Sequence, residues 1–212
     1  MDSRCVILDI GGVLEITPRT GWQRSWEQRL GLSPGTVNRR LGEVWRAGRA
    51  GELDEPGVRA RGSAEIALDE AAVDAFMTDL WAEYLGTANE ELIACVRGLR
   101  KRCGPGLGLG ILSNSFAGAR EREEAAYGFG ALVERIVHSH GIGVLKPGPR
   151  AYEAVCAAMG ARPQDCLFVD DLPENVEAAR EFGMHGHLHE DNARTIARIT
   201  AHVGPVTEAP RP

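Results

Sequence analysis

The sequence is short of lysine, of positive charge and of long apolar runs, and each shortage excludes something. Its lysines are Lys101 and Lys146; every other basic side chain is an arginine. With 24 basic against 30 acidic residues the formal charge is −6, so no basic excess exists to follow a nucleic-acid backbone, and a general nucleic-acid binder is excluded. No apolar run reaches the ~18 residues that a membrane-spanning helix needs, and the N-terminus carries no basic, apolar, small-residue leader. The expectation is a cytoplasmic protein without a membrane partner. Cys5, Cys95, Cys103, Cys156 and Cys166 are odd in number, scattered and without a C-x-x-C pair, which argues against a disulfide framework or a zinc knuckle and leaves them as small core residues.

What is present is a chain of 212 residues, 43% hydrophobic, enough for a core plus a smaller domain. Arg4 to Asp9 (R-C-V-I-L-D) is an aliphatic run ending in aspartate and two glycines, the pattern of a buried parallel strand feeding a loop. Similar runs cover Leu107–Leu112, Arg135–Val137, Cys166–Val169 and, more polar, Met184–His189. Helical patterns separate them: Glu91–Arg102, Pro149–Met159 and Pro173–Phe182. This alternation predicts an α/β fold with a parallel sheet.

Residues 17–88 interrupt it with helical periodicity: Trp22, Trp26 and Leu30; Leu41, Val44 and Trp45 after a Ser33-Pro34 start; and Val73 to Tyr84. We expect a core from 1–16 and 89–203, a helical cap over 17–88 with all four tryptophans in it, and a disordered tail over 204–212.

In open parallel sheets ligands bind beyond the carboxyl ends of the strands. The groups there are Asp9, Ser113-Asn114, Lys146 and Asp170-Asp171. Carboxylates brought together repel unless a hard cation neutralises them, and Mg²⁺ suits oxygen ligands such as Asp9, Asp171 and a backbone carbonyl of the Gly11 loop. A hydroxyl, amides and an ammonium beside it would hold a phosphate while Asp9 attacks phosphorus.

In chain order these elements read D-I-G-G-V-L at 9–14, I-L-S-N-S at 111–115, G-V-L-K-P-G-P-R-A-Y at 143–152 and F-V-D-D-L-P-E-N-V at 168–176. The set resembles the haloacid dehalogenase-like (HAD) superfamily. The resemblance implies a Rossmann-like core with an inserted helical cap, Asp9 as nucleophile and metal ligand, and the Gly11 carbonyl, Asp170 and Asp171 at Mg²⁺. It further implies Ser113 and Asn114 as phosphate binders, Lys146 as charge stabiliser, Asn175 as support, and a small phosphorylated metabolite as substrate.

One position departs from the pattern. Most phosphatases of the superfamily carry an acid-base aspartate two residues after the nucleophile, and here Gly11 stands there; a branch with D-x-G-[GN]-[VI] includes sugar-phosphate phosphatases. The leading expectation is a phosphatase that takes its proton from elsewhere, such as the cap residue Glu52, with Arg46 also near substrate. The alternatives are a binding or regulatory protein whose chemistry has decayed and a metal-independent, dehalogenase-like attack on carbon. His185, His187 and His189 read as a solvated edge, and Arg49 falls in the same turn region as Arg46.

Overall fold

In the computed structural model, which describes residues 4–103 and 106–204, the aliphatic runs form one parallel sheet. The strands are β1 (Arg4–Leu8), β2 (Glu15–Ile16), β3 (Thr87–Ala88), β4 (Leu107–Ser113), β5 (Arg135–His138), β6 (Cys166–Asp170) and β7 (His185–Leu188). Five of them make the sheet in the order β5-β4-β1-β6-β7, each neighbouring pair parallel. The first strand is therefore central. The chain builds outward to β5 and then restarts beside β1 with β6, which is a Rossmann-like arrangement with its switch point at β1.

Alternation along β1 sorts its side chains between two layers. Val6 and Leu8 join Leu92, Val96, Leu99 and Ile199 on one face, whereas Cys5 and Ile7 join Tyr152, Val155 and Ala179 on the other. The helices supplying these layers are α5 (Glu90–Cys103) and α10 (Asn192–Val203) on the first face, and α8 (Pro149–Met159) and α9 (Pro173–Glu181) on the second. Gly108 and Gly110 of β4 face the second layer, where a Cβ at either would press on Met159. Cys5, Cys156 and Cys166 are buried in this layer as free thiols.

Between β2 and β3 lie α1 (Trp22–Arg29), α2 (Thr36–Arg49), α3 (Glu55–Ile66) and α4 (Glu70–Tyr84), packed around Trp26, Leu41, Val44, Val58, Phe76 and Trp81. Two details differ from the sequence reading. The second helix starts at Thr36 after a left-handed Gly35, and Ser33 serves a preceding turn by accepting the Thr36 amide. The third helix was not foreseen, because Gly57 and Gly62 interrupt its pattern; its Asp54 cap accepts from Gly57 N.

The bundle is fastened to the sheet layer. Arg122 of α6 (Ala119–Tyr127) makes two 2.9 Å bonds to Glu55 and lies over the Trp81 ring, and Ser139, opening α7 (Ser139–Ile142), donates to the Arg49 carbonyl at 2.7 Å. Of the tail expected to be disordered, only Gly204 is among the described residues; 205–212 lie outside them.

The chain returns from the bundle at Asn89, which is buried. Its Nδ2 donates to Val13 O and to Asn192 Oδ1, and Asn192 Nδ2 donates back to Asn89 Oδ1. This side chain ties the loop after β1 to the last helix. We expect Asn89→Ala to cost about 1–3 kcal/mol in urea denaturation and Asn192→Ala less, because only the former strips the Val13 carbonyl of its donor. Equal losses would mean that the Val13 bond contributes nothing.

Candidate active site

Adjacent strands β4, β1 and β6 end side by side, and their first polar residues meet there. Asp9 leaves β1 with its amide donating to Val169 O at 2.9 Å, Ser113 closes β4 and Asp170 closes β6. Oxygens of Asp9, Asp170 and Asp171 all lie within 4.8 Å of one another.

Lys146 reaches this cluster from the loop before α8. Its ammonium is wholly buried and donates to Leu112 O at 3.0 Å, Asp9 Oδ1 at 2.9 Å and Asp170 Oδ2 at 2.6 Å. Asn114 holds that loop in place, its Nδ2 donating to the Lys146 carbonyl and its Oδ1 accepting the Lys146 amide, both at 2.8 Å. The second oxygen of Asp170 accepts from the Leu172 amide and from Asn175 Nδ2, so Asp170 is fully engaged. Asp9 Oδ1 also accepts from the Ile10 amide at 2.8 Å.

Burial pushes the Asp9 carboxyl up to about 7, opposed by Lys146 and reinforced by Asp170. Asp171 is raised as well, by burial and then by Asp170. One ammonium does not balance three carboxylates, and a hard divalent cation is the group whose charge and oxygen preference this donor set fits.

A cavity of about 260 Å³ opens beside these groups. Asp9, Gly11, Ser113, Asn114, Lys146, Asp171 and Asn175 line it, and Asp170 lies behind them. Glu15, Thr17, Arg49, Tyr84 and Glu123 line it too; the sequence pointed to Arg49 by its charge and to Tyr84 only as part of an aromatic stripe. Glu15 is 1% exposed; its Oε2 accepts from Thr17 at 2.6 Å, its buried Oε1 has no partner among the described residues, and burial pushes its carboxyl up to about 7. An acid within the apolar run D-I-G-G-V-L-E was the one available sign of it. Glu123 had none, since it lies in a polar helix; it pairs with the buried His138 at 3.1 Å and accepts from Tyr84.

Arg46 and Glu52 are a correction. They bind each other bidentately at 2.8 and 2.7 Å, Arg46 also engages Glu43, and neither lines the cavity. Opposite charges within reach at the solvent-facing end of α2 satisfy one another, which leaves neither for substrate. His187 and His189 are half-buried and share the hydroxyl of the buried Thr195, so this face is packed against α10 and not solvated. His140 meets Ser115 at 2.7 Å.

A family profile for haloacid dehalogenase-like hydrolases matches residues 4–183. The chain belongs to this family. A phosphatase of Mycobacterium tuberculosis (strain CDC 1551 / Oshkosh) is 34% identical over 112 residues, 50% of this chain and 51% of that protein. Flavin mononucleotide hydrolase 1 of Arabidopsis thaliana is 39% identical over 69 residues, 32% of this chain and 28% of the plant protein. The chain thus spans about half the length of the first relative and less of the second. A HAD family enzyme of Bacteroides thetaiotaomicron, solved with magnesium and inorganic phosphate, shares the fold at TM-score 0.74 and 19% identity, over 91% of this chain and 98% of that one. No helix among the described residues is long and apolar enough to cross a membrane.

The two glycines of the first loop differ in what they permit. Gly12 has φ +71°, and a Cβ there would overlap the Asp171 carboxylate; a Cβ at Gly11 would meet nothing closer than Glu15 Oε2 and Thr17 Oγ1, each at 3.9 Å. We expect Gly12→Ala to destabilise the protein by about 1–3 kcal/mol and Gly11→Ala to stay within about 0.5 kcal/mol of wild type in thermal melts. Equal effects would show that Asp171 is free to yield.

Proposed function

We propose that the hydrolase is a Mg²⁺-dependent phosphatase that cleaves a small phosphate monoester through an aspartyl-phosphate on Asp9. The observation that carries this reading is the ammonium of Lys146 buried between Asp9 and Asp170, within a cluster of three carboxylates that opens into a cavity. Asp9, Asp171 and the Gly11 carbonyl would hold the metal, with Asp170 behind them; when bound, Mg²⁺ supplies positive charge to the phosphoryl oxygens. The magnesium and phosphate complex of the Bacteroides enzyme and the phosphatase name of the mycobacterial relative support the assignment.

The chain's own groups then divide the work. Two donors hold Asp9 Oδ1, which orients the carboxylate for in-line attack on phosphorus. Ser113 offers its hydroxyl to the phosphoryl oxygens, and Lys146 counters the charge that develops there. Asn114 has its amide committed to the Lys146 backbone in both directions, so its task in this reading is to position that loop. Water then cleaves the aspartyl-phosphate and regenerates Asp9.

Gly11 cannot pass a proton to the leaving oxygen, and Glu52 is tied to Arg46. In our reading the duty falls to Glu15, a buried carboxyl that lines the same cavity beside the space left open at Gly11. Such help is worth roughly 10² to 10⁴ in rate.

We expect phosphate release from a panel of metabolite esters with Mg²⁺, abolished by EDTA and reduced at least about 10³-fold by Asp9→Asn. Glu15→Gln is expected to lower kcat by about 10² with little change in KM, and Gly11→Asp to recover part of that loss in the Glu15→Gln background. A folded wild-type protein that releases no phosphate from any ester would sink the reading, and activity indifferent to EDTA would point to attack on carbon.

A further inference from the structure

The cavity that contains Asp9 adjoins a second one of about 310 Å³ between the helical bundle and the sheet layer, and Thr17, Arg49, Tyr84 and Asn114 line both. Trp22, Trp45, Leu80 and Phe116 form its apolar wall, and Gln23, Asn38 and Glu83 complete it on the polar side. An apolar space of about 150 Å³ already accepts a benzene ring, so this one has room for a ring with substituents or for two fused rings.

Trp45 is the informative residue. Trp22, Trp26 and Trp81 are buried, as aromatic packing of a small core requires, whereas Trp45 is only half-buried. Its ring lies parallel to Phe76 at 6.4 Å and edge-on to Phe116 at 5.6 Å, contacts that fix its plane while part of it stays uncovered. A large apolar ring held rigidly and left open beside a catalytic cavity is a ready stacking surface.

Arg49 gives the polarity of the arrangement. It stands where the two cavities meet, and among the described residues no hydrogen bond or ion pair engages its guanidinium. An anion at the junction, with an apolar group beyond it, matches this order of charge and ring.

We propose that the second cavity receives the alcohol part of the ester and that this part carries a planar aromatic or heteroaromatic ring, stacked on Trp45 beside Phe116 with its phosphate facing Arg49. The inference rests on the phosphatase reading for the identity of the bond that breaks. The ring site itself is a claim about binding.

The test compares benzyl and naphthylmethyl phosphate with n-butyl phosphate, all esters of primary alcohols, so that recognition and not leaving-group reactivity separates them. The expected result is a KM about tenfold lower for the ring esters. In Trp45→Leu, which stays apolar, that ratio falls toward one; in Trp45→Phe most of it remains. Calorimetry with benzylphosphonate and butylphosphonate, which cannot turn over, should give the same ratio in Kd. Equal KM and Kd for ring and chain, or a ring preference that survives Trp45→Leu, overturns the proposal. Ring-selective binding without phosphate release from any ester would keep the ring site and remove the phosphatase, and release from all esters without ring preference would do the reverse.

Discussion

The site depends on a single ammonium held where three strands end. Lys146 Nζ has three protons and meets three acceptors, the Leu112 carbonyl, Asp9 Oδ1 and Asp170 Oδ2. Every donor is satisfied inside the protein, which is the condition for burying a charge without a large penalty. It also explains the residue type. A planar guanidinium spreads its donors in a fork and cannot converge on three acceptors set around one point, so a chain that otherwise uses arginine uses lysine here. Lys101, by contrast, sits in the last turn of α5, where its charge complements a helix terminus.

From that contact the rest of the site can be traced outward. Asn114 clamps the loop that carries Lys146 to the end of β4, and Asn175 with the Leu172 amide holds the far oxygen of Asp170. Tyr152 in turn donates to the Asn175 carbonyl from the helix that follows Lys146, so the two loops brace one another. The loop after β1 closes the ring: Gly12 lets Asp171 approach, and the short β2-β3 ladder brings Glu15 and the returning chain at Asn89 alongside. The helical bundle is anchored to this frame through Glu55–Arg122 and Ser139, which fixes Trp45 and Arg49 relative to Asp9.

How much of this was legible differs between elements. The three central strands, β4, β1 and β6, could be read because each is a mostly aliphatic run buried on both faces, and their polar ends named Asp9, Ser113, Asp170 and Asp171 directly. The third helix could not, because two glycines and a weak apolar stripe hide its period. Arg46 and Glu52 were misread for a different reason. Their charge and their place near the bundle's turn suggested substrate contact, but sequence spacing does not tell whether two opposite charges six positions apart will face each other first.

The sequence by itself determined the sheet, its order of polar strand ends and the types of group available for chemistry, because those follow from local hydrophobic pattern and from motifs a few residues long. Only the tertiary structure decided which side chains meet: that Lys146 bridges Asp9 and Asp170, that Glu15, Glu123 and Tyr84 join the cavity, and that one tryptophan of four is left partly open. These are relations between segments tens of residues apart. They are set by how helices pack on the sheet and on each other, and no local pattern in the chain encodes that geometry.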